Sequence, residues 1–470
     1  MATHKLDRYT ANIALFALLV TIVLPSAVTF SRLFNAGVYS FAALLFALAA
    51  SIALFFAIAL PRESVSILLL ALPLAARLTD SVVLNLQLMI MPVEVLVILI
   101  VGVLVLLKRP LQRDILSPVF WLFFLIMALS CFADPSDSSL TILISGILTQ
   151  YMMFRVVEAT FKSRSELRFL MTVLSIILFY SCIFAFIQPI INHKMSDYIF
   201  LRLTSFFYNP IIFAGTIVLL WPYFLILNFS FLKSKRAAFW IKVILCIVGF
   251  VALLLTGSRG ALMVYLLQVG LLIFDIKRME RVNKIKYSKI VSIFIIIVTI
   301  ATISNYGILD KTVFRRFNEI DFNAAGNSAD ERVLGAKGGI ELGLAHPMLG
   351  VGLGNFRFAY PHTIAANGGK MSLESAHNFI INLFAEGGAP AALLWMLMVA
   401  IVFSRIRRIS KGLMKLDPFM FVALKLSFFG FVIYSFAFYG EFLHKNVGLP
   451  MILYWTVVAM ISAEFHRQKA

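Results

Sequence analysis

The feature that most constrains the fold of this chain is a succession of long apolar segments separated by short polar breaks. An apolar segment of about 17 to 25 residues crosses the hydrocarbon layer of a bilayer as an α-helix. We therefore predict an all-α polytopic transmembrane bundle of about 12 to 14 spans with one partly helical outer loop. The candidate spans lie near residues 12–30, 37–60, 64–79, 88–107, 115–132, 139–157, 168–190, 208–230, 239–256, 260–275, 289–305, 379–404, 417–440 and 447–463.

The composition argues against a large soluble domain. Hydrophobic residues make up 61% of the 470 residues and charged residues only 14%, whereas soluble domains average about 25% charged residues. One membrane domain is therefore favoured over two or three soluble ones. We divide the chain into N-terminal spans (1–200), spans with arginines at their outer ends (201–304), an outer loop with an amphipathic helix (305–378) and C-terminal spans (379–470).

Basic residues indicate the orientation of the bundle, because short cytoplasmic loops are enriched in Lys and Arg. With both termini in the cytoplasm, the main basic clusters all fall inside. These clusters lie at residues 108–113, 162–168, 233–236, 277–289 and 405–415. Topology thus explains the formal net charge of +18, and nucleic acid is not a predicted partner. The segment through Phe30 has no typical cleavage site and is predicted to be a retained first span.

The sequence gives little sign of a metal or cofactor. Cys131, Cys182 and Cys246 fall in different apolar spans, a pattern typical of neither a disulfide framework nor a metal cluster. The sequence has no Walker-type glycine loop, which argues against an ATP-driven pump. We predict no metal and no cofactor.

The longest interruption of the apolar pattern runs from about 305 to 376 and is the first place to look for chemistry. Ser328-Ala-Asp-Glu331 resembles a capping box, and apolar residues recur on one side over 333–344. This pattern predicts a helix of about 16 residues that stops at Pro347 and Gly350. A helix with one apolar side is expected to lie at the membrane surface or to cover a cavity below it.

Three glycines alternate in the run His346-Pro-Met-Leu-Gly350-Val-Gly352-Leu-Gly354-Asn355-Phe356. Glycine allows the backbone to approach another group closely, because it has no side chain. Two interpretations follow from this pattern. The run approaches a ligand, or it forms a tight turn that packs on the helices.

Two arginines stand at predicted outer ends of spans. Arg202 begins the segment Arg-Leu-Thr-Ser-Phe-Phe-Tyr-Asn209-Pro210, and Arg259 lies in the hairpin Thr256-Gly-Ser-Arg-Gly260. An arginine at this depth pairs with a carboxylate, extends to the interface or binds an anion. Because each segment offers few carboxylates, we interpret both arginines as ligands for a phosphate or diphosphate. An arginine that merely anchors the chain at the interface is the alternative.

His377 stands where the long loop returns to the membrane. An imidazole near neutral pH accepts a proton from a hydroxyl group, which makes His377 a candidate general base. A hydrogen-bonded structural histidine is the alternative. The other histidines predicted outside are His193, His346, His362 and His444.

Together these motifs resemble the O-antigen ligase and polymerase superfamily. The ordered set comprises the Arg202 segment, the Gly-Ser-Arg259-Gly hairpin, Arg332 ahead of the Pro-x-x-Gly-x-Gly-x-Gly-Asn-Phe run, and His377-Asn with Glu386-Gly before an apolar span. The resemblance covers roughly residues 200 to 400. The earlier spans are similar to the family only in being apolar.

The resemblance implies a bacterial inner-membrane glycosyltransferase that is metal-independent and acts at the periplasmic face. Its donor would be a glycan on undecaprenyl diphosphate. By the same resemblance, Arg202 and Arg259 hold the diphosphate and stabilise its departing charge. Arg332 is a third cation unless a neighbouring carboxylate pairs with it. His377 orients or deprotonates the acceptor hydroxyl, which gives inversion at the sugar.

The resemblance leaves the acceptor open. In a polymerase the acceptor is another lipid-linked repeat unit, in a ligase it is the lipid A core, and a protein-glycosylating member is a third case. The number of spans and the modest outer loop favour a polymerase slightly. Membrane lipids and a regulator of chain length are further candidate partners.

The competing interpretation is a transporter, such as a flippase for the same lipid-linked glycans. Transporters carry ionisable residues at mid-membrane. The candidates here are Glu94, Arg155 and Lys425, with Glu94 and Lys425 as a potential pair. Polar residues at the outer face fit interfacial chemistry better, so we prefer the glycosyltransferase.

Overall fold

The protein is helical over almost all of the residues that its computed structural model describes. The predicted spans at 12–30 and 289–305, most of the span at 37–60, and His193 and His444 lie outside the described residues. The described residues are 49–469 apart from positions 51, 55, 58–59, 76–82, 87–88, 108–112, 134, 136–138, 192–201, 208, 229–233, 284–327, 368–371 and 439–447.

A short β-hairpin interrupts the helices of the N-terminal half. Its strands pair in antiparallel fashion, with Val83 opposite Pro92. The prediction of a helical span from residue 88 is wrong at its start: because proline lacks the N–H that a helix interior needs, helix α2 begins only after Pro92. The elements of this half are α1 (Pro61–Ala75), β1 (Val83–Leu86), β2 (Met89–Pro92), α2 (Val93–Leu106), α3 (Leu116–Ala133), α4 (Ser139–Thr160) and α5 (Arg164–Ile191).

The C-terminal half shows how local sequence starts its helices. Asn209 caps α6, because its side chain accepts a hydrogen bond from the N–H of Ile211 at 2.8 Å and Pro210 occupies the first turn. The elements of this half are α6 (Pro210–Leu220), a 3-10 turn (Trp221–Ile226), α7 (Lys235–Leu255), α8 (Arg259–Asn283), α9 (Ser328–Ala345), α10 (Phe356–Ala359), a second 3-10 turn (Tyr360–His362), α11 (Ile364–Asn367), α12 (Phe379–Leu416), α13 (Pro418–Phe438) and α14 (Gly448–Lys469).

Within the described residues, six helices are long and apolar enough to cross a membrane, and two shorter apolar helices accompany them. All eight coincide with predicted spans. The prediction of an all-α polytopic membrane bundle is therefore confirmed. The six long segments are Ser139–Thr160, Arg164–Gln188, Arg236–Leu255, Arg259–Lys277, Phe379–Gly412 and Pro418–Phe436, and the shorter ones are Leu116–Phe132 and Pro210–Ile226.

A proline explains why α6 changes into a 3-10 turn. Pro222 has no N–H to donate to the carbonyl of Val218 four residues earlier. The side-chain amide of Gln268, in α8, donates to that carbonyl instead, at 2.9 Å. The same Gln268 accepts from the indole N–H of Trp221 at 2.8 Å. A buried side chain thus replaces the hydrogen bond that the proline removes.

Stacked aromatic rings fill the interior between α3, α4 and α14. The rings of Phe120 and Tyr151 are parallel, with centroids 4.0 Å apart. Trp455 meets Phe120 edge-on at 5.9 Å and also contacts Trp395 of α12. Edge-on and stacked pairs of this kind add to the stabilisation that burial of the rings provides.

A buried ionic cluster joins the start of α3 to α4, α12 and α14. Arg405 donates to both carboxylate oxygens of Asp114. His466 lies 3.1 Å from Asp114 and 3.6 Å from Glu158, which pairs with Arg155 at 2.7 Å. Burial favours a raised pKa of Asp114, but hydrogen bonds from His466 and Arg405 outweigh it and hold this pKa well below its usual range.

The same cluster contains the one described set of side chains close enough to share a metal ion. The ligand atoms of Asp114, Glu158 and His466 lie within 4.8 Å of one another. However, two guanidinium groups already balance the two carboxylates, and both oxygens of Asp114 accept hydrogen bonds. The cluster is therefore an ion-pair network, and metal independence of the protein stays a prediction.

One charge inside the bundle has a partner that the sequence did not suggest. Lys425 of α13 donates to Asp275 of α8 at 2.7 Å, and the pairing of Lys425 with Glu94 stays a prediction. The partners are 150 residues apart, and only the packing of α8 against α13 brings them together. The side chain of Glu94 lies outside the description.

We expect Asp114→Asn to lower the free energy of unfolding by about 3–5 kcal/mol, because it leaves the Arg405 guanidinium buried without its carboxylate. Thermal unfolding in detergent at pH 7 measures this change. Since the pKa of Asp114 is lowered in the folded protein, its stabilisation is present above the ordinary carboxyl pKa of about 3.9. It is lost as the pH falls through the folded value.

Asp417→Asn is the matched control. Its partner, Arg168, has a side chain that is 58% exposed, and asparagine keeps the acceptor for the N–H of Met420. The expected loss is below about 1 kcal/mol. Equal losses in the two variants would contradict the central role of the Asp114 cluster.

Candidate active site

Arg202 and the hairpin that carries Arg259 lie against each other. The Nε of Arg202 donates to the carbonyl oxygen of Thr256 at 2.8 Å. The N–H of Leu203 donates to the carbonyl oxygen of Leu255 at 3.1 Å. Both acceptors belong to the end of α7, where carbonyl groups lack helical partners. These bonds fix the Arg202 segment beside the hairpin and bring two predicted arginines to one region.

Arg332, near the start of α9, joins this region. Burial lowers the pKa of the Arg332 guanidinium. Tyr434 and Glu331 oppose this shift, and the positive charge of Arg259 adds to it. Arg259 therefore acts electrostatically on Arg332. A guanidinium stays protonated at neutral pH. The described charges here, three arginines and Glu331, sum to a net positive charge, which suits an anion.

Tyr434 of α13 connects this region to the start of α6. Its hydroxyl donates to the carbonyl oxygen of Ile211 at 2.9 Å. A Cβ atom on Gly215 would lie 2.7 Å from the ring of Tyr434, so glycine at that position makes room for the ring. Tyr434 carries no distinguishing sequence signal, because it is one aromatic residue among many in an apolar span.

Helix α9 confirms the helix predicted after residue 328, but its packed face is not the apolar one. Glycines face α12 at four-residue intervals: an added Cβ would overlap Ile381 at Gly339 and Phe384 at Gly343. Such small residues let two helices approach closely. The position of the apolar side relative to a membrane surface stays a prediction. The exposed residues on that side are Val333, Ile340 and Leu344.

The turn 375–377, here named the histidine turn, lies at the N-terminal end of this helix contact. A Cβ on Gly335 would lie 3.1 Å from the carbonyl oxygen of Ser375. The Ser375 hydroxyl accepts a hydrogen bond from the N–H of His377 at 3.3 Å. Arg332 lies one helical turn before Gly335, so α9 brings the histidine turn and Arg332, beside Arg259, to one end of this helix.

Helix α12 is broken between Glu386 and Pro390. Gly388 adopts φ 73° and ψ −177°, a conformation that glycine alone adopts readily. Pro390 has no N–H to donate to the carbonyl of Glu386. The hydroxyl of Ser130, in α3, donates to that carbonyl instead. The sequence Glu-Gly-Gly-Ala-Pro therefore dictates the break.

The glycine run 346–356 supplies the hydrogen bonds that the break removes. The carbonyl of Ala385 accepts from the N–H of Val351, and the N–H of Ala389 donates to the carbonyl of Pro347, each at 2.8 Å. In an unbroken helix, Ala385 and Ala389 would bond to each other. Of the two interpretations of this run, the structure shows the turn packed on the helices.

A buried polar chain continues from the glycine run to the histidine turn. Glu386 accepts a hydrogen bond from the N–H of Phe356 at 3.3 Å. One turn earlier on α12, the Oδ1 of Asn382 accepts from the N–H of Ala376 at 3.1 Å. Asn382 had no predicted role, although a polar pair at i and i+4 inside an apolar helix was a usable signal.

Two described residues other than glycine have positive φ: Ser205 at 56° and His377 at 51°. Strained backbone of this kind clusters at functional sites. Ser205 lies three residues after Arg202, and its hydroxyl donates to the carbonyl of Ser181 at 2.6 Å. Both strained positions therefore fall in segments that the motifs singled out.

The family comparison agrees with these motifs. Residues 243–396 match the family model described as O-Antigen ligase. The family resemblance is confirmed. The match covers about a third of the 470 residues and includes Arg259, Arg332 and His377, whereas Arg202 precedes it. Among curated proteins, none matches this chain.

The match of residues 243–396 to this family model bears on function. It supports a function of the O-antigen ligase or polymerase type and a glycosyltransferase-like enzyme. The family also implies lipid-linked glycan and polysaccharide substrates in a membrane. Together with the six apolar helices, it indicates a multi-pass membrane protein.

We expect Gly350→Ala to lower the thermal unfolding midpoint. Gly350 has φ 66°, and an added Cβ would lie 2.3 Å from the carbonyl carbon of Glu386. The left-handed backbone alone costs a residue with a side chain about 1–2 kcal/mol, and the overlap displaces the run from α12. Thermal unfolding in detergent measures the loss.

Gly270→Ala is the control, because a Cβ there meets nothing within 4 Å and the residue lies inside α8. Alanine in a helix interior is favoured over glycine by about 1 kcal/mol, so this variant should be unchanged or slightly more stable. A Gly350→Ala protein as stable as wild type would mean that the run does not depend on close backbone contact.

Proposed function

We propose that this protein is an inverting glycosyltransferase that moves a glycan from undecaprenyl diphosphate to a sugar hydroxyl at the periplasmic face of the bacterial inner membrane. The observation that carries this proposal is the convergence of three arginine-bearing segments with the histidine turn. Arg202 and the Arg259 hairpin are joined by a hydrogen bond, and α9 links Arg332 to His377. Several cations around a nearby imidazole suit a reaction that releases a diphosphate.

The proposed reaction is a single displacement. The oxygen of the acceptor hydroxyl attacks the anomeric carbon on the face opposite the diphosphate. The bond from that carbon to the diphosphate oxygen breaks, and its electron pair leaves with undecaprenyl diphosphate. The hydroxyl proton passes to His377, which acts as general base. Arg202, Arg259 and Arg332 stabilise the charge that develops on the leaving group.

In this proposal the arginines take the role that a divalent cation has in many diphosphate-using enzymes. Arginine presents fixed donors that match phosphate oxygens in pairs, which lysine does not. The net positive charge of the described cluster supports this assignment. The reaction should therefore proceed in the presence of a chelator.

We expect Arg259→Ala and His377→Ala each to lower transfer from purified lipid-linked glycan by at least about a hundredfold, the range seen when one transition-state donor or one acid–base group is removed. Arg259→Lys should recover only part of the rate, because it keeps the charge and loses the paired donors. The measurement is product formation in detergent with EDTA present.

Arg357→Ala is the matched control. Arg357 is an exposed arginine of the same region of the chain, and its guanidinium lies over the ring of Phe358, 4.5 Å from the centroid. It should retain wild-type transfer. If it lost activity as fully as Arg259→Ala, general loss of positive charge rather than a specific site would explain the result.

The choice of acceptor decides between two members of the same reaction class. Lipid-linked repeat units alone should yield polymer if the protein is a polymerase, which the number of predicted spans favours slightly. Product that forms only when lipid A core is added would identify a ligase. If neither acceptor gave product while reconstituted vesicles moved the lipid-linked glycan across the bilayer, the transporter interpretation would replace the enzyme.

A further inference from the structure

The backbone of His377 is held by groups that the reaction itself does not use. His377 has φ 51°, in a region that costs energy for any residue with a side chain. Such a conformation persists only where the surroundings impose it. The contacts of the histidine turn therefore decide where the imidazole stands.

Two side chains accept hydrogen bonds from the backbone of this turn. The Oδ1 of Asn382 accepts from the N–H of Ala376 at 3.1 Å, and the hydroxyl of Ser375 accepts from the N–H of His377 at 3.3 Å. Asn382 is 2% exposed, and Ser375 is fully buried. Buried hydrogen bonds of this kind restrict the backbone of the turn, because breaking them leaves buried polar groups unsatisfied.

Glu386 lies one turn along α12 from Asn382. Its side chain accepts a hydrogen bond from the N–H of Phe356 at 3.3 Å. The part of α12 that carries Asn382 is thereby tied to the glycine run.

We propose that Asn382 is a positioning residue that holds the strained histidine turn so that the His377 imidazole faces the acceptor hydroxyl. This inference rests on the proposed function, in which His377 is the general base. It assigns to the broken segment of α12 a task beyond packing. Neither Asn382 nor Glu386 touches the substrate in this account.

The first test is a double-mutant cycle on the rate of glycan transfer. Asn382→Ala should lower kcat about a hundredfold, the loss that a misplacement of about 1 Å causes at an oriented site, with little change in KM for the donor. In a His377→Ala background, Asn382→Ala should have no further effect, because the group that it positions is absent. Equal effects in both backgrounds would overturn the proposal.

Gln268→Ala is the matched control. Gln268 is also a buried amide that bonds to backbone carbonyls, but its partners are Val218 and Leu426 in the interior of the bundle. Any loss of rate from general destabilisation should be the same with or without His377. If the double-mutant cycle of Gln268→Ala with His377→Ala were as non-additive as that of Asn382→Ala, the positioning role of Asn382 would also be contradicted.

Hydrogen exchange provides a test that does not need activity. In Asn382→Ala, the amides of the histidine turn should exchange at least about tenfold faster, because they lose a buried acceptor, while α8 and α13 keep wild-type protection. Unchanged exchange at the turn would refute the link even if transfer fell. If wild type showed no transfer at all, the proposed function would fail, and the exchange result would still decide whether Asn382 holds the turn.

Discussion

The exchange of hydrogen-bond partners at the break in α12 holds the candidate site together. Buried backbone groups need partners, and within an apolar bundle the protein itself must supply them. Pro390 and Gly388 interrupt the helix, and Val351, Pro347 and Ser130 then satisfy the groups that the interruption leaves. The same short segment of α12 carries the polar residues that reach the histidine turn. The break in α12 thus determines both how this helix packs and how the candidate site is held.

The two breaks in the bundle follow the same physical rule. In each case a proline removes a donor, and a side chain from another helix replaces it: Gln268 serves Val218, and Ser130 serves Glu386. The difference lies in the glycines. Around Pro390 the flanking glycines let a whole run of backbone approach, whereas at Pro222 the side chain of Gln268 supplies the replacement donor.

The fold was predictable because hydropathy and segment length are local properties. The ordered motifs also marked Arg202, Arg259, Arg332 and His377, and the family match covers the last three of them. The structure joins the Arg202 segment to the Arg259 hairpin by the hydrogen bond between Arg202 and Thr256, 54 residues apart, and the grouping of all four residues in one site is a proposal. Their catalytic roles remain predictions. Local sequence motifs identify these residues, but they do not show which segments of the chain contact one another.

What the sequence did not reveal depends on packing. The packed side of α9 is formed by glycines together with Leu342, and glycines carry no hydrophobic signal, so the apolar pattern did not identify this side. The pairing of Lys425 with Asp275 was not predicted, because nothing in either segment records that α8 lies beside α13. Tyr434 acquires significance only through a partner far away in the chain, Ile211.

The ionic cluster around Asp114 has a consequence for how the protein is made. Asp114 and Arg405 are 291 residues apart. At a translation rate of about 5–20 residues per second, Asp114 leaves the ribosome roughly 15 to 60 s before its partner. During that interval the carboxyl group lacks the guanidinium that compensates its burial, and an unpaired buried charge is costly. The start of α3 therefore reaches its final packing only after α12 has been inserted, and closure of this cluster is a late step in the biogenesis of the protein.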